Sequence, residues 1–366
     1  MYRKAFYRIL FLTIVFSFTV ELYGNECFTD RGVSFDSTAK GIRIAGTLST
    51  PNDDKKHPAV LMITGNGPHT RDQMISNSPM FKMLGEHFAR HGFVVLRTDA
   101  RGYGDSTGPN DWEQYTTADR IEDNRAALAF LRKQKGVDIS RVILFGHSEG
   151  AMIAAALAAS GAEPFLSVLL APSTLKGDEV VSRQLAGNLL RRGADVKTAE
   201  AVRQEFLKFA EFAVKDGKDG EKFQEIALAF LKAHGVADDK LDPEFAKGLL
   251  KGYLSSPWYR YFLSYDPAED LSKIKTPVFA IFGGEDTNVP WRIQLPPFIE
   301  GMKAAGNQDF SAIVIPDQDH FFLEFEGKRL EKHNPGKMLI ADELFAALDG
   351  ELTRRGLAGA ACTSPN

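Results

Sequence analysis

The chain has 366 residues, of which 44% are hydrophobic and 25% are charged, and its formal net charge at pH 7 is -4. This is the composition of a globular protein with one large domain or two ordinary ones. The 44 basic and 48 acidic residues are dispersed without a long run of either sign. A nucleic acid is therefore not expected as a partner, because nucleic-acid-binding proteins concentrate positive charge.

The N-terminus has the layout of a secretory signal peptide. Arg3, Lys4 and Arg8 precede residues 9–20, a run of apolar and small polar residues without a charge. A membrane span needs about 20 apolar residues, so this run is short for one. We expect a signal peptide at residues 1–24, an exported protein that is periplasmic or secreted, and no stable membrane span after processing. An N-terminal membrane anchor and an amphipathic helix are the alternatives.

The chain contains two cysteines, Cys27 close to the predicted mature N-terminus and Cys362 close to the C-terminus. An exported chain tolerates a disulfide between its two tails, because disulfides persist in oxidising compartments. Two unrelated thiols are the alternative. The sequence contains no Cys/His cluster with metal-ligand spacing and no phosphate-binding glycine loop with a lysine, so neither a metal nor an organic cofactor is expected.

Short apolar runs alternate with helical patterns along most of the chain. Strands are predicted at residues 59–64, 93–98, 141–145, 167–171, 278–282 and 310–315. Helices are predicted at residues 80–91, 117–134, 151–160 and 338–354, and a leading antiparallel hairpin at residues 33–35 and 42–48. Continuous hydrophobic strands separated by helices indicate a parallel sheet covered on both faces. We therefore expect an α/β fold built on a mostly parallel, doubly wound sheet.

About a hundred residues separate the strand at 167–171 from the strand at 278–282, whereas such connections usually have roughly 2 to 6 residues. Apolar residues recur at helical spacing in this segment, at residues 180–190, 197–214, 223–233 and 245–254, and an aromatic stretch follows at 257–262. We therefore expect a helical cap at residues 176–265, inserted between two strands. The core would then consist of residues 25–175 and 266–366.

Residues 146–150 read Gly-His-Ser-Glu-Gly and lie between the strand at 141–145 and a helix of small residues. A nucleophile elbow places its serine on a sharp strand-to-helix turn and needs small residues two positions to either side. The pentapeptide alone is also compatible with an ordinary serine between two glycines. The strand and helix around it favour Ser148 as a nucleophile, and we interpret His147 as a residue that fixes the turn.

A serine hydroxyl needs a base within hydrogen-bond reach and an acid that orients the base. In an open parallel sheet, such groups gather beyond the carboxyl ends of the strands. Asp286 follows the strand at 278–282, and His320 follows the strand at 310–315. These two residues therefore continue the order nucleophile, acid, base. Glu285 is a weaker candidate for the acid.

Acyl transfer also needs two hydrogen-bond donors aimed at the developing oxyanion. We expect one to be the backbone N–H of Glu149, the residue after the nucleophile. We expect the other to be the backbone N–H of Asn66, in the sequence Gly-Asn-Gly-Pro that follows the strand at 59–64. A plain Gly-Pro turn is the alternative for this loop.

Together these motifs resemble those of the α/β-hydrolase superfamily, and within it those of bacterial carboxylesterases grouped with serine-aminopeptidase-like and dipeptidyl-peptidase-like hydrolases. The resemblance rests on residues 65–72, 99–108, 146–150 and 284–290, together with Asp319 and His320. It implies an α/β-hydrolase fold with Ser148, Asp286 and His320 as the catalytic triad and with Asn66 and Glu149 as the oxyanion amides.

The sequence departs from the pattern of that family at two positions. Asn66 stands in a loop where the family often has Gly-Ser-Gly-Pro, and Asp319 stands before the histidine where an asparagine is common. An acid beside the base is expected to move the pH optimum upward.

We therefore expect a serine hydrolase that cleaves small-molecule carboxylic esters through an acyl-enzyme. A serine aminopeptidase or amidase is the alternative enzyme, and it would need carboxylates in the insertion, such as Glu205, Glu211 or Glu244, to bind a free amine. A secreted binding protein that keeps the fold without turnover is an alternative of another class. That alternative predicts a broken triad.

Overall fold

The computed structural model describes residues 27–215, 225, 228–229, 231–233, 256–325, 328–329, 338–357 and 362. The predicted signal peptide and the predicted helix at residues 245–254 lie outside this part of the chain. The predicted helix at residues 223–233 lies only partly within it. Within the described ranges, no helix is both long enough and apolar enough to cross a membrane.

An eight-stranded sheet forms the centre of the protein. Its strands are β1 (Phe28–Asp36), β2 (Arg43–Pro51), β3 (His57–Ile63), β4 (Val94–Thr98), β5 (Val137–His147), β6 (Leu166–Leu170), β7 (Val278–Gly283) and β8 (Phe310–Ile315). Their spatial order is β1-β2-β4-β3-β5-β6-β7-β8. The β1–β2 and β2–β4 pairs are antiparallel, and all other pairs are parallel. The mostly parallel sheet and the leading hairpin are thus confirmed.

Helices lie on both faces of this sheet and in the insertion that follows β6. They are α1 (Met80–Arg90), α2 (Thr117–Arg132), α3 (Glu149–Leu157), α4 (Gly177–Arg191), α5 (Val196–Lys215), α6 (Pro257–Ser264), α7 (Pro267–Leu271), α8 (Trp291–Ala304) and α9 (Asp342–Arg354). The last helix begins later than predicted, because Leu339–Ile340 forms a short strand that pairs with Leu323–Phe325. The sequence analysis assigned no helix to the range of α8.

Side chains alternate in direction along each strand, and this alternation divides the core into two apolar layers. Val60 and Met62 of β3 pack in the layer that includes side chains of α1 and α9. Leu61 and Ile63 point to the other face and pack in the layer that includes side chains of α2, α3 and α8. Because successive side chains of a strand point to opposite faces, a strand covered on both sides reads as a continuous apolar run.

The helices α4, α5 and α6 lie between β6 and β7 along the chain. Val202, Phe206 and Phe209 recur on one face of α5 and belong to a separate small apolar cluster with side chains of α4 and α6. On α6, Trp258 packs with Met152 of α3. The described part of the insertion therefore contacts the helix that directly follows the candidate nucleophile.

A disulfide joins Cys27 to Cys362, which lie 335 positions apart in the sequence. The backbone N–H of Cys362 also donates to the carbonyl oxygen of Arg90, at the end of α1, over 2.9 Å. Both tails of the described chain are thus attached to the body of the protein.

Candidate active site

Ser148 occupies the turn between β5 and α3, with a φ of 56° and a ψ of -121°. This backbone conformation is unfavourable for a residue with a side chain and persists only where the surroundings impose it. A Cβ on Gly146 would lie 2.1 Å from the carbonyl oxygen of Gly150, and a Cβ on Gly150 would lie 2.1 Å from that of Ile63. The two glycines are therefore required by close backbone approach, which is the geometry expected of a nucleophile elbow.

The side chains of Ser148, His320 and Asp286 form a hydrogen-bonded series at the carboxyl ends of β5, β8 and β7. Nε2 of His320 lies 3.1 Å from Oγ of Ser148, and Nδ1 of His320 lies 2.7 Å from Oδ2 of Asp286. The other carboxylate oxygen of Asp286 accepts the N–H groups of Asn288 and Val289, each at 2.8 Å. The structure thus brings together the three residues that the sequence analysis selected.

Asp286 has the environment of an ionised carboxylate. Burial opposes its charged form, but the hydrogen bonds from His320 and from two backbone N–H groups outweigh burial and hold the pKa of Asp286 below its usual value. Glu285, the alternative acid, has an exposed side chain. A carboxylate bonded to Nδ1 fixes the imidazole so that Nε2 faces the serine.

His147 connects the turn that carries Ser148 to the loop that carries His320. Its Nε2 lies 2.9 Å from the carbonyl oxygen of His320, so this nitrogen donates and Nδ1 accepts from Nε2 of Gln73 at 2.9 Å. The side-chain oxygen of Gln73 accepts the N–H of Gly65 at 2.8 Å. Burial lowers the pKa of His147 to about 3, so its ring stays neutral near pH 7. The sequence analysis placed His147 at the turn but did not identify Gln73.

Asn66 and Glu149, the two residues whose backbone N–H groups were predicted to bind the oxyanion, belong to different elements. Asn66 follows β3, whereas Glu149 is the first residue of α3. Within the described residues, no backbone carbonyl accepts a hydrogen bond from either N–H group. Neither N–H group is therefore engaged by the backbone of the described residues.

The side chain of Glu149 is buried and fully engaged. One carboxylate oxygen accepts from Oγ1 of Thr117 at 2.6 Å and from Nε1 of Trp258 at 3.1 Å. The other accepts from Nη1 of Arg120 at 2.6 Å. The sequence analysis considered only the backbone N–H of Glu149, and it did not single out Arg120.

A cavity of about 420 Å³ opens beside Ser148. Its lining is largely polar and consists of Gly65, Asn66, His69, Gln73, Ile75, His147, Ser148, Gln184, Asn288, Val289, His320 and Phe321. Burial lowers the pKa of His69 to about 4, so this ring is neutral near pH 7. Gln184 comes from α4 and donates to the carbonyl oxygen of Asn288 at 2.8 Å. The insertion therefore contributes to the wall of the cavity.

A separate cluster of possible metal ligands lies at the C-terminal end of α1 and on α9. One ligand atom from each of His87, His91 and Asp349 lies within 4.8 Å of the other two. Nε2 of His87 is 2.7 Å from a carboxylate oxygen of Asp349, so the pair already forms an interhelical contact. None of these residues lines the cavity beside Ser148.

Two sequence comparisons agree with this architecture. The model of the alpha/beta hydrolase family matches residues 60–331. Esterase EstD of Thermotoga maritima is 25% identical over 293 residues, which are 80% of this chain and 61% of that protein. The chain therefore spans less than two thirds of the length of this relative. An uncharacterized 31.7 kDa protein of Escherichia coli is 25% identical over 252 residues, 68% of this chain and 79% of that protein.

Solved structures share the fold at lower sequence identity. An esterase from Pyrococcus furiosus superposes with a TM-score of 0.53 at 16% identity, covering 89% of this chain and 91% of that one. A proline iminopeptidase from Mycobacterium smegmatis superposes with a TM-score of 0.51 at 16% identity, covering 88% and 98% of the two chains. Together with the family match over most of its length, these findings show that the chain belongs to the alpha/beta hydrolase family.

Proposed function

We propose that this protein is an exported serine hydrolase that cleaves carboxylic esters of small molecules through an acyl-enzyme. The observation that carries the proposal is the hydrogen-bonded series of Ser148, His320 and Asp286 beside the cavity. A serine becomes nucleophilic when a neighbouring base accepts its proton, and the base is effective when an acid orients it.

In the proposed reaction, Oγ of Ser148 attacks the ester carbonyl carbon while Nε2 of His320 accepts the hydroxyl proton. Asp286 stabilises the imidazolium, and the N–H groups of Asn66 and Glu149 donate to the tetrahedral oxyanion. Collapse of this intermediate breaks the bond to the alcohol, which leaves with the proton from His320. A water molecule then attacks the acyl-enzyme with His320 as the base, which releases the carboxylic acid and restores Ser148.

The cavity lining favours an ester over an amino-terminal peptide as the substrate. Among the described residues, no carboxylate side chain lines the cavity to bind a free amine. On α5, Glu205 is paired with Lys208 and Glu211 with Lys215, and neither glutamate is part of the lining. Glu244, the third carboxylate considered, lies outside the described residues.

An intact site also argues against a binding protein without turnover. That alternative predicts a broken triad, whereas Ser148, His320 and Asp286 are within hydrogen-bond distance of one another in series. We also propose that residues 176–265 form a cap that shapes the substrate site, because α4 supplies Gln184 to the cavity wall.

The proposal of export rests on two features. The first is the signal-peptide pattern of residues 1–24. The second is the bond between Cys27 and Cys362, because structural disulfides are typical of oxidising compartments.

The test compares the wild-type mature protein with Ser148→Ala on p-nitrophenyl esters of increasing acyl length and on an aminoacyl arylamide. We expect ester hydrolysis by the wild type and a loss of roughly 10⁴- to 10⁶-fold in kcat in the variant. Ser167→Ala is the matched control, because its buried hydroxyl has no hydrogen-bond partner among the described residues. Wild-type rates in Ser148→Ala would exclude the mechanism, and a preference for the arylamide would exclude ester specificity.

A further inference from the structure

One guanidinium group holds the loop that carries Asn66. Nη2 of Arg120, in the first turns of α2, donates to the carbonyl oxygen of Thr64 at 2.8 Å and to that of Gly65 at 2.9 Å. The same side chain pairs with Glu149 through Nη1. Arg120 therefore contacts both segments that supply the predicted oxyanion donors.

The contact with Gly65 determines where the N–H of Asn66 points. The carbonyl of Gly65 and the N–H of Asn66 belong to the same peptide group, and the described chain contains no cis peptide bond. In a trans peptide the C=O and N–H bonds point in opposite directions within one plane. Arg120 holds the carbonyl oxygen of Gly65 toward its guanidinium group. The N–H of Asn66 therefore points away from Arg120, on the other side of the peptide group.

The same peptide segment is also held from its other end. The N–H of Gly65 donates to Gln73, and the carbonyl of Gly65 accepts from Arg120. A hydrogen bond to a carbonyl polarises the peptide group, which makes its N–H a stronger donor. Arg120 thus both orients the N–H of Asn66 and strengthens it.

Glu149 completes the connection on the side of the nucleophile. Its backbone N–H is the other predicted oxyanion donor, and its side chain holds Arg120. The carboxylate of Glu149 is buried, so breaking its ion pair with the partly buried Arg120 would leave that charge without compensation. Trp258 of α6 donates to the same carboxylate, which ties the pair to the insertion as well.

We propose that Arg120 and Glu149 form a positioning pair that fixes the direction and spacing of the two oxyanion N–H groups, with Trp258 linking this pair to the insertion. The inference rests on the proposed function, because it assigns a role in stabilising the oxyanion of that reaction. Neither side chain is required to touch the substrate.

The test measures the preference for an oxygen ester over its thionoester, in which sulfur replaces the carbonyl oxygen. A sulfur anion is a weak hydrogen-bond acceptor, so the ratio of the two kcat/KM values reports on the oxyanion donors. In Arg120→Lys, a single ammonium group replaces the planar fork and cannot hold one carboxylate and two carbonyls in the same geometry. We expect kcat for the oxygen ester to fall about 10- to 100-fold, with little change in KM and a much smaller fall for the thionoester.

Two further variants probe the pair through Glu149 and through Trp258. Glu149→Gln keeps the backbone N–H but places an amide where Arg120 needs a carboxylate oxygen, and it should lower the same ratio. Trp258→Phe removes the N–H donor to Glu149 and the five-membered part of the indole, while a six-membered aromatic ring remains for packing. We expect the preference for the oxygen ester to fall by roughly two- to fivefold. If Arg120→Lys does not fold, this mild variant tests the positioning role, because the ratio of kcat/KM for the oxygen ester to that for the thionoester can still be measured.

Arg101→Lys is the matched control. Arg101 forms a similar buried ion pair with Asp123, which lies on α2 like Arg120, through contacts of 2.7 and 2.8 Å. We expect this variant to lower thermal stability without changing the preference for the oxygen ester. If Arg120 had a purely structural role, Arg120→Lys would likewise lower thermal stability and leave the preference for the oxygen ester unchanged.

The outcomes separate this inference from the proposed function. If Ser148→Ala is inactive and Arg120→Lys keeps the wild-type preference for the oxygen ester, the positioning role is wrong and the proposed function stands. If Ser148→Ala hydrolyses esters at the wild-type rate, the proposed function itself is wrong. A selective loss of the preference in Arg120→Lys and Glu149→Gln, but not in Arg101→Lys, establishes the pair.

Discussion

The imidazole of His147 donates to the backbone carbonyl of His320 over 2.9 Å, so the residue before the candidate nucleophile holds the backbone of the candidate base. The burial of the same imidazole has a consequence for stability at acidic pH. Burial lowers the pKa of His147 to about 3, whereas an unfolded histidine has a pKa of about 6.5. Between these pH values the unfolded state binds a proton at this residue and the folded state does not.

The free energy of unfolding should therefore fall as the pH falls below about 6.5, by about 1 kcal/mol per pH unit from His147 alone. In His147→Gln this contribution is absent, so the free energy should decline less steeply. Urea unfolding of both proteins between about pH 6.5 and pH 4 measures the slopes. Measurements at pH 8 serve as the control, because His147 adds no slope there, and equal slopes at acidic pH would contradict the prediction.

Gly150→Ala should abolish the geometry of the nucleophile turn. A Cβ at this position would lie 2.1 Å from the carbonyl oxygen of Ile63, which is backbone and cannot rotate away. We expect kcat/KM to fall by roughly 100-fold or more and the free energy of unfolding to fall by about 1 to 3 kcal/mol. Thermal unfolding and ester hydrolysis measure the two effects.

Gly350→Ala is the matched control for this substitution. Gly350 lies in α9, and nothing lies within 4 Å of the position that its Cβ would take. Alanine should therefore stabilise the protein by about 0.5 to 1 kcal/mol and leave hydrolysis unchanged. Similar activity in the two alanine variants would refute the steric explanation of the turn.

Asp319→Asn should move the acidic limb of the kcat/KM profile to lower pH. Burial raises the pKa of Asp319 above its usual value, and its carboxylate accepts the N–H groups of Phe321 at 2.8 Å and Phe322 at 3.2 Å. An asparagine oxygen can accept the same two bonds, so the substitution mainly removes a negative charge beside His320. That charge attracts the imidazolium form of His320, and the same attraction opposes the effect of burial on the pKa of Asp319.

The measurement for Asp319→Asn is the pH dependence of hydrolysis of one p-nitrophenyl ester. Thermal unfolding of the variant at neutral pH checks that the loop is intact. Superimposable pH profiles for the two proteins would show that the charge of Asp319 has no influence on the base.

Replacing Cys27 and Cys362 by serine should destabilise the protein by about 3 to 5 kcal/mol. The bond closes a very long loop of chain, and closure of a long loop restricts the unfolded state strongly. Urea unfolding measures the loss, and treating the wild type with a reducing agent should reproduce it. A wild type whose stability does not respond to the reducing agent would contradict this prediction.

Much of the fold could be predicted because buried parallel strands have a local signature. The range predicted for the strand at residues 310–315 agrees with β8, and the other predicted strands differ mainly at their ends. Helix α8 was missed because Pro296 and Pro297 lie inside it, and proline usually argues against a helix interior. Burial of Phe298 and Met302 against the sheet outweighs this local preference.

The candidate triad could be located because each member lies in the turn or loop after a recognisable strand. The residues that position the site could not be located from the sequence, because their partners are distant in sequence. Gln73 and His147 are 74 positions apart, and Glu149 and Trp258 are 109 positions apart. No local pattern identifies such a contact before the topology of the chain is known.

The disulfide has a further consequence for the response of the chain to proteolysis. Ser148 precedes helices α4 to α6, whereas Asp286 and His320 follow them, and the Cys27–Cys362 bond joins the start of the first part to the end of the second. A single cut between α5 and α6 would therefore release no fragment. The nicked protein would remain one covalent molecule, and its two parts would separate only if the bond were also reduced.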